Sequence, residues 1–379
     1  MAEGEDASFD VAVIGAGIAG ASVASELAAS ASVILLEREG QPGYHTTGRS
    51  AALFSEIYGP EQIRALTRAS APFFDNPPEG FAANRLLSPR GVLMVAREDQ
   101  AGRVETMLQE VSGRDDVRAV GAAEVRDMMP LLRPGYAAGA VLEEGASDID
   151  VHALHHGFLR RFRARGGTVA TDSEILALEP DNDGWRIETR RGTFRAGVVV
   201  NAAGAWADAI AAMAGVRAVA LVPKRRTALI VPAPAGTDPQ PWPMVVDIEE
   251  QFYLKPDAGR LLISPADESP SEPCDAQPEE LDIAICIDRI ETAFDLKVER
   301  VENKWAGLRS FVRDKTPVVG FDKAAPGFFW LAGQGGYGIQ TAPALARLAS
   351  ALVLGRDMPS DIAAEGVTRA ALSPERLAA

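Results

Sequence analysis

The sequence predicts an α/β fold organised around a dinucleotide-binding unit, and three strand–turn–helix segments predict it. The first is VAVI at 11–14, followed at once by GAGIAG and ASVASELAAS. The second lies in GVVVNAAGAWADA, 197–209, where an apolar strand breaks at small residues. The third is FFWLAGQGGYGIQTAPALARLASAL, 328–352, again strand, glycine-rich turn and helix. Short apolar runs that end at glycine read as buried strands, and the longer Ala-rich runs after them read as helices.

In the first segment Gly15 permits a tight turn, Gly17 lets backbone approach a pyrophosphate at the positive helix end, and Gly20 lets helix and strand pack closely. The next apolar run, SVILLE, ends in Glu37. That is about twenty residues on, where a carboxylate can accept hydrogen bonds from a ribose. A glycine motif alone is a common turn; strand, helix and acid at this spacing together point to a dinucleotide. The motif does not separate FAD from NAD. Residues 45–59, HTTGRSAALFSEIYG, form a polar, glycine-broken loop that turns apolar at Leu53 and Phe54. Such a loop can wrap a cofactor with backbone donors. Taken singly, the segments near 203 and 335 are ordinary turns; taken with the first motif they suggest one cofactor contacted by distant parts of the chain.

A chain of 379 residues is long enough for two domains, and 47% hydrophobic with 24% charged residues is ordinary for a globular enzyme. The net charge of -15 repels nucleic acid and anionic lipid, which leaves small molecules as the favoured partners. Cys274 and Cys286 are too few for a disulfide framework and lack metal-site spacing, so a reducing compartment is expected. The start, MAEGEDASFD, has no basic or apolar leader region, and the apolar stretch 198–216 is interrupted by Asn201 and Asp208. No membrane span is expected, and the location expected is the cytoplasm, free or peripheral to the inner membrane. His152, His155 and His156 cluster on one helix, but no Asp or Cys completes a site, so they read as helix-surface residues or supports of a site and no metal is expected. Punctuation by proline and glycine falls at 77–80, 133–139 and 232–243, and ADESPSEPCDAQPEE, 266–280, reads as a solvated loop before a helix near Leu281.

GAGIAG with Glu37, TTGRSAA, VVNAAGAW, WAGLRSF and GQGGYGIQTAP, in this order, resemble the D-amino acid oxidase superfamily of FAD enzymes, and within it the bacterial D-arginine dehydrogenase type. The likeness extends to FFDNPPEGF, KRRTALI, FYLKPDAG and LSPERL. It implies a discontinuous Rossmann-like FAD-binding domain, 1–80, 146–218 and 318–379, and a substrate-binding domain, 81–145 and 219–317, whose mixed sheet covers the flavin, in the manner of glutathione-reductase-like folds. It implies noncovalent FAD, even with His45 in the loop where some relatives attach the flavin. It also implies oxidation of a D-amino acid to an imino acid, which water converts to a 2-oxo acid and ammonia. The electrons pass to a quinone, another acceptor or O2. The implied cofactor contacts are Gly15, Ala16, Gly17, Ala19, Gly20, Glu37 and Arg38, then His45, Thr46, Thr47, Gly48, Arg49, Ser50 and Ala51. Ile175, Ala202, Ala203, Gly204 and Trp206 follow, and Gly335, Gly336, Tyr337, Gly338, Ile339 and Gln340 complete the set.

Hydride removal from Cα needs a fixed substrate carboxylate and exclusion of water more than it needs acid–base residues. Arginine is the fitting clamp, since its planar fork matches two oxygens and stays charged. Arg226 and Arg309 each stand in an apolar, strand-like segment, with Arg225 on the opposite strand face. By residue type alone each is equally a structural ion pair; the resemblance makes both carboxylate-binding. The same resemblance places Tyr58 and Tyr253 at that carboxylate and makes MVVDIEEQF, 244–252, a lid, with Asp247, Glu249 and Glu250 as a solvated acidic face. The implied substrate pocket comprises Leu53, Phe54, Val92, Met244, Val246, Gly336 and Gln340. The D-arginine type carries a His-Tyr pair where Leu53 and Phe54 stand and an acid where Val92 stands, so apolar or bulky D-amino acids are expected here in place of D-Arg. The rivals are oxidation of N-methyl or cyclic imino acids, and a non-catalytic FAD protein on the same fold.

Overall fold

The computed structural model describes residues 7–182 and 184–377, so the acidic start discussed above lies mostly outside the described residues. Ala7–Ile14 pairs in parallel with Val33–Leu36 on one side and Gly192–Asn201 on the other. Thr168–Ala170 extends the sheet in parallel beyond Val33–Leu36, and Phe328–Ala332 pairs in parallel with the C-terminal half of Gly192–Asn201. Antiparallel strands Ile175–Asp181, Gly184–Thr189 and Val318–Phe321 complete eight strands.

The continuous apolar runs in this sheet follow from its being covered on both faces. Val11 and Val13 pack with residues of helices Ile18–Leu27, Val151–Ala164 and Gly338–Val353, while Ala12 and Ile14 pack with Ile210 and Ala211 of Ala207–Met213. The turn at 15–17 needs its glycines: Gly15 has φ 96, and a Cβ on Gly20 would stand 1.7 Å from the Gly15 carbonyl oxygen.

A second sheet of nine strands is built on Val222–Pro232, which pairs antiparallel with Asn303–Phe311, Arg260–Ser264 and Ser269–Pro270. Beyond Arg260–Ser264 come Tyr253–Asp257, Met244–Asp247, Val92–Ala96, Gly139–Glu143 and Val117–Gly121. Its faces alternate with period two. Leu93, Val95, Leu229, Val231, Val245 and Leu254 pack against Cys286 and Ile290 of helix Glu280–Ala293. Val92, Met94, Ala228, Ile230, Met244 and Tyr253 form a separate cluster on the other face.

Every strand of the first sheet falls within 1–80, 146–218 or 318–379, and every strand of the second within 81–145 or 219–317. A third, three-stranded sheet straddles that division: Ser147–Ile149 pairs with both Leu53–Phe54 and Leu87–Pro89. The segment 266–280 departs from the solvated loop expected of its composition. Ala266 and Ala276 are buried, Ser269–Pro270 joins the second sheet, and Asp267 accepts hydrogen bonds from the Thr227 N–H (2.6 Å) and hydroxyl (3.0 Å). No helix among the described residues is long and apolar enough to cross a membrane. Leu229 is fully buried between the second sheet and its helix. Leu229→Ala should therefore lower unfolding stability by about 2–5 kcal/mol, measured by urea denaturation.

Candidate active site

A cavity of ≈ 1660 Å³, open mouth included, runs between the two large sheets. Its wall draws on both large sheets, from the glycine turn at 15–17 to Arg226 and Arg309. The wall includes Gly15, Gly17, Ala19, Glu37, Arg38 and Ile175, the 45–51 loop without Gly48, 202–206, Gly335, Gly336, Gly338 and Ile339, and from the second sheet Arg226, Ala228, Tyr253, Gly307 and Arg309.

At the glycine turn the carboxylate of Glu37 is buried and accepts hydrogen bonds from the Ala16 N–H (2.9 Å) and Glu39 N–H (3.0 Å). The Thr47 hydroxyl accepts from the Ile18 N–H at 2.9 Å, tying the loop to the first turn of the helix. Arg38 lies over the Trp206 ring, 4.8 Å from its centroid. Arg49 reaches the wall, but its guanidinium is committed to the carbonyls of Ala276 (2.9 Å) and Ala306 (3.0 Å) and to Asp275, so it fastens the loop to the second sheet.

His45 places Nε2 2.9 Å from Glu39 and leaves Nδ1 buried without a partner. His155 is not a surface residue: its Nε2 meets the Ala16 carbonyl at 2.9 Å beneath the glycine turn, and burial pushes its pKa down to about 4, so it is neutral at pH 7. His156 lies edge-on to it, with ring centroids 5.7 Å apart. His152 and His156 stack on each other with centroids 4.1 Å apart. Among the described residues no group of three or more His, Cys, Asp or Glu is arranged to hold a metal ion.

In the second sheet, strand register decides which arginines share a face. Arg226 stands opposite Gly307 and Lys224 opposite Arg309. Cross-strand partners share a face, so Arg226 and Arg309 project from the same side, two positions apart along neighbouring strands. Arg225 projects from the other side, where it is bonded to Asp282 (3.0 Å) and Glu279. Arg226 is buried; its Nε donates to the Asp267 carbonyl (2.9 Å) and its Nη2 to Glu268 (3.4 Å).

Arg309 donates through Nη1 to the Tyr58 hydroxyl (3.3 Å), which donates in turn to Glu250 (3.3 Å). Burial opposes the charge on Arg309, but the facing Tyr58 and Tyr253 hydroxyls and Glu250 carboxylate raise its pKa above the ordinary guanidinium value. Burial and then Glu250 raise the pKa of Tyr58 against the opposing effect of Arg309, so the phenol stays protonated at neutral pH. Gly336 leaves room for this group, since a Cβ there would stand 2.7 Å from Arg309 Nη1.

Several expected contacts do not reach the cavity wall. Ala16, Gly20 and Gly48 lie behind it. Tyr337 is buried against Tyr58 and Phe311, at ring distances of 5.0 and 6.2 Å. Gln340 is buried and uses its amide on the Ser55 N–H (3.2 Å) and Thr67 hydroxyl (2.9 Å), which makes it a support of the 55–58 segment. Phe54 packs into the first core beside Phe74, at 5.2 Å. Leu53, Val92, Met244 and Val246 belong to the apolar layer that continues from Ala51, Ala228 and Tyr253, the three residues of that layer on the wall. Asp247 is not part of a solvated acidic face: with no exposed surface, it accepts from Arg97 (3.1 Å), Gln100 (3.3 Å) and the Glu249 N–H (3.0 Å), pinning the turn that carries Glu250. Ala228, Gly307 and Ser310 were absent from the sequence reading. The first two share the face of Arg226, so period-two alternation was the signal that could have found them.

FAD fits this set of residues. The Ser310 hydroxyl and His45 Nδ1 are buried, unpartnered and borne by wall residues, and the glycine turn lies at the N-terminus of Ile18–Leu27 with Glu37 beside it. Residues 10–352 match the FAD dependent oxidoreductase (DAO) family, and the chain belongs to that family. It is therefore an FAD-dependent oxidoreductase. It is similar to a glycine oxidase of Geobacillus kaustophilus, 24% identical over 95% of this chain and 97% of the relative. It is also similar to mitochondrial dimethylglycine dehydrogenase of Mus musculus, 25% identical over 63% of this chain but only 30% of that longer protein. The crystal structure of L-proline dehydrogenase from P. horikoshii superposes with a TM-score of 0.81 at 21% identity, covering 99% of each chain, which shows a shared fold. These names are of glycine, dimethylglycine and proline enzymes, so the D-arginine dehydrogenase likeness is carried only by the motifs quoted above. Gly20→Val would push side-chain atoms into the Gly15 carbonyl; the purified variant should lose most of its flavin, read as the 450/280 nm absorbance ratio against wild type.

Proposed function

We propose that this chain oxidises an α-amino acid, a D-amino acid with an apolar side chain, with Arg226 and Arg309 fastening the substrate carboxylate. The supporting observation is the register that puts both arginines on one face of the second sheet, with both on the cavity wall. Bound FAD supplies the hydride acceptor for the Cα hydrogen. The protein's part is to position and to exclude water. Tyr58, held protonated behind the wall, donates and does not abstract; Tyr253 stands on the wall itself. The turn at 247–251 brings Glu250 over Tyr58 in the manner of a lid. The cofactor is held without a covalent bond by the wall residues Gly15, Gly17, Ala19, Glu37, Arg38, 45–51 without Gly48, 202–206, Gly335, Gly336, Gly338 and Ile339, and the domain division is the one stated from the sequence.

The apolar layer supports the side-chain preference. The charged groups on its face are committed elsewhere: Lys255 pairs with Asp148 at 2.7 Å, and Glu143 is bonded to Ser55 and Glu56. A guanidinium placed among Leu53, Val92 and Met244 would find only Glu143, whose two oxygens are already bonded to Ser55 and Glu56, and a buried charge left without a free partner costs several kcal/mol, whereas burying an aliphatic side chain contributes about 1.5–3 kcal/mol. The names of the dimethylglycine and proline relatives favour a second reading, an N-methyl or cyclic imino acid held by the same arginines.

Anaerobic mixing of the holoenzyme with D-Leu, D-Met, D-Phe, D-Arg, glycine, sarcosine and proline separates these readings. Bleaching of the flavin should be fastest with the apolar D-amino acids. Preference for sarcosine or proline selects the second reading, preference for D-Arg refutes the pocket argument, and a flavin that stays oxidised with all of them identifies a non-catalytic protein. Readmitting O2 or a quinone then identifies the acceptor. Arg309→Ala should lower kcat/KM roughly thirtyfold or more, corresponding to the loss of about 2 kcal/mol or more when one partner of a buried charged hydrogen-bonded pair is truncated. A value within threefold of wild type would remove Arg309 from the clamp.

A further inference from the structure

The segment that carries Tyr58 to Arg309 is anchored away from the cavity. The Ser55 hydroxyl donates to Glu143 Oε2 at 2.5 Å, and the Glu56 N–H donates to Glu143 Oε1 at 2.8 Å. Glu143 ends the strand Gly139–Glu143 opposite Val92, on the same sheet face as Met244. It is 1% exposed. The charged groups facing it are Glu56, from the segment it holds, and Arg114 and Asp116, from the turn before Val117–Gly121. Arg114 bonds to Glu56 and to Asp116 (2.9 Å), so no cation is devoted to Glu143.

Burying a carboxylate with hydrogen bonds but no ion-pair partner is costly. A glutamine would fit the same space, accepting from the Glu56 N–H and donating to the Ser55 hydroxyl, without burying charge. An acid at this position therefore points to a use for its ionisation. Both bonds as observed run toward the carboxylate, which suits the ionised form. A proton taken from solvent onto Oε2 makes that atom a donor, so the Ser55 bond must reverse.

We propose that Glu143 is a positioning residue for carboxylate capture: ionised, it fixes residues 55–58 so that the Tyr58 hydroxyl meets Arg309 and Glu250, and protonated, it loosens that segment. The proposal rests on the reading of Arg309 as the carboxylate clamp. Burial pushes the pKa of Glu143 up to about 7, against the opposing effects of the Ser55 and Glu56 hydrogen bonds and of Arg114, which puts the transition at neutral pH.

The test is binding of pyruvate and benzoate to the FAD-loaded protein, followed by flavin difference spectra between pH 5.5 and 8.5. In wild type, Kd should rise by up to about tenfold from pH 8 to pH 6, the limit that a single ionisation near 7 allows. Glu143→Gln should remove that dependence and bind weakly throughout. Ser55→Ala deletes a bond that favours the anion, so its midpoint should move above that of wild type.

Stability gives an independent reading. A carboxyl whose pKa is higher folded than unfolded contributes most at pH below its unfolded value, and the contribution is lost as pH rises through its folded value near 7. Glu143→Gln should accordingly raise Tm relative to wild type at pH 8 more than at pH 5. A wild-type pH dependence that survives unchanged in Glu143→Gln overturns the role of Glu143 alone. No binding of either carboxylate by wild type at any pH overturns the clamp and, with it, this proposal.

Discussion

The pairing of Val222–Pro232 with Asn303–Phe311 is the constraint on which the site depends. Side chains alternate along a strand, so a slip of one residue would turn Arg226 to the helix-covered side and bring Arg225 to the cavity. The two arginines are adjacent in sequence, and little in their chemistry separates them; the register separates them completely. That register is itself held from both sides, by the apolar layer containing Ala228 and Ile230 on the cavity face and by Leu229 and Val231 on the helix face. The core of the second sheet thus sets the position of its charges.

The charge pattern at this face is local. A protein of net charge -15 gathers Lys224, Arg226 and Arg309 on one sheet face, offset by Glu268, which meets Lys224 at 2.7 Å and Arg226 at 3.4 Å, and by Glu250 through Tyr58. Each cation is held by a partner that is a side chain or a backbone carbonyl, which fixes its direction. In the proposed reading, a substrate carboxylate would meet groups already oriented, with little reorganisation needed to hold it.

What could be read in the sequence was what is local along it. The glycine turn, Glu37 and the three strand–turn–helix segments are each contained within about thirty residues, and their spacing carries the geometry. The aliphatic residues of the layer beyond Tyr253 were legible only through the resemblance, as departures from the polar residues of the D-arginine type. The misread positions were those decided by distant partners. Gln340 follows a glycine-rich turn and resembles a ligand contact, but Ser55 and Thr67, more than 270 residues away, take its amide. Asp247 sits in an acidic run that suggests solvent until Arg97 and Gln100 are seen around it. The partners of Glu143 are 88 and 87 residues from it, and nothing in LEEGASD separates it from its neighbour Glu144.

The small sheet that joins Leu53–Phe54 and Ser147–Ile149 to Leu87–Pro89 has a consequence for how a ligand enters. It laces segments from both large units with backbone hydrogen bonds, and Asp148 adds ionic ties to Arg90 and Lys255 at 2.8 and 2.7 Å. Swinging one half away from the other would tear this stitch open. Any opening between the two halves would have to break these pairings and ion pairs together.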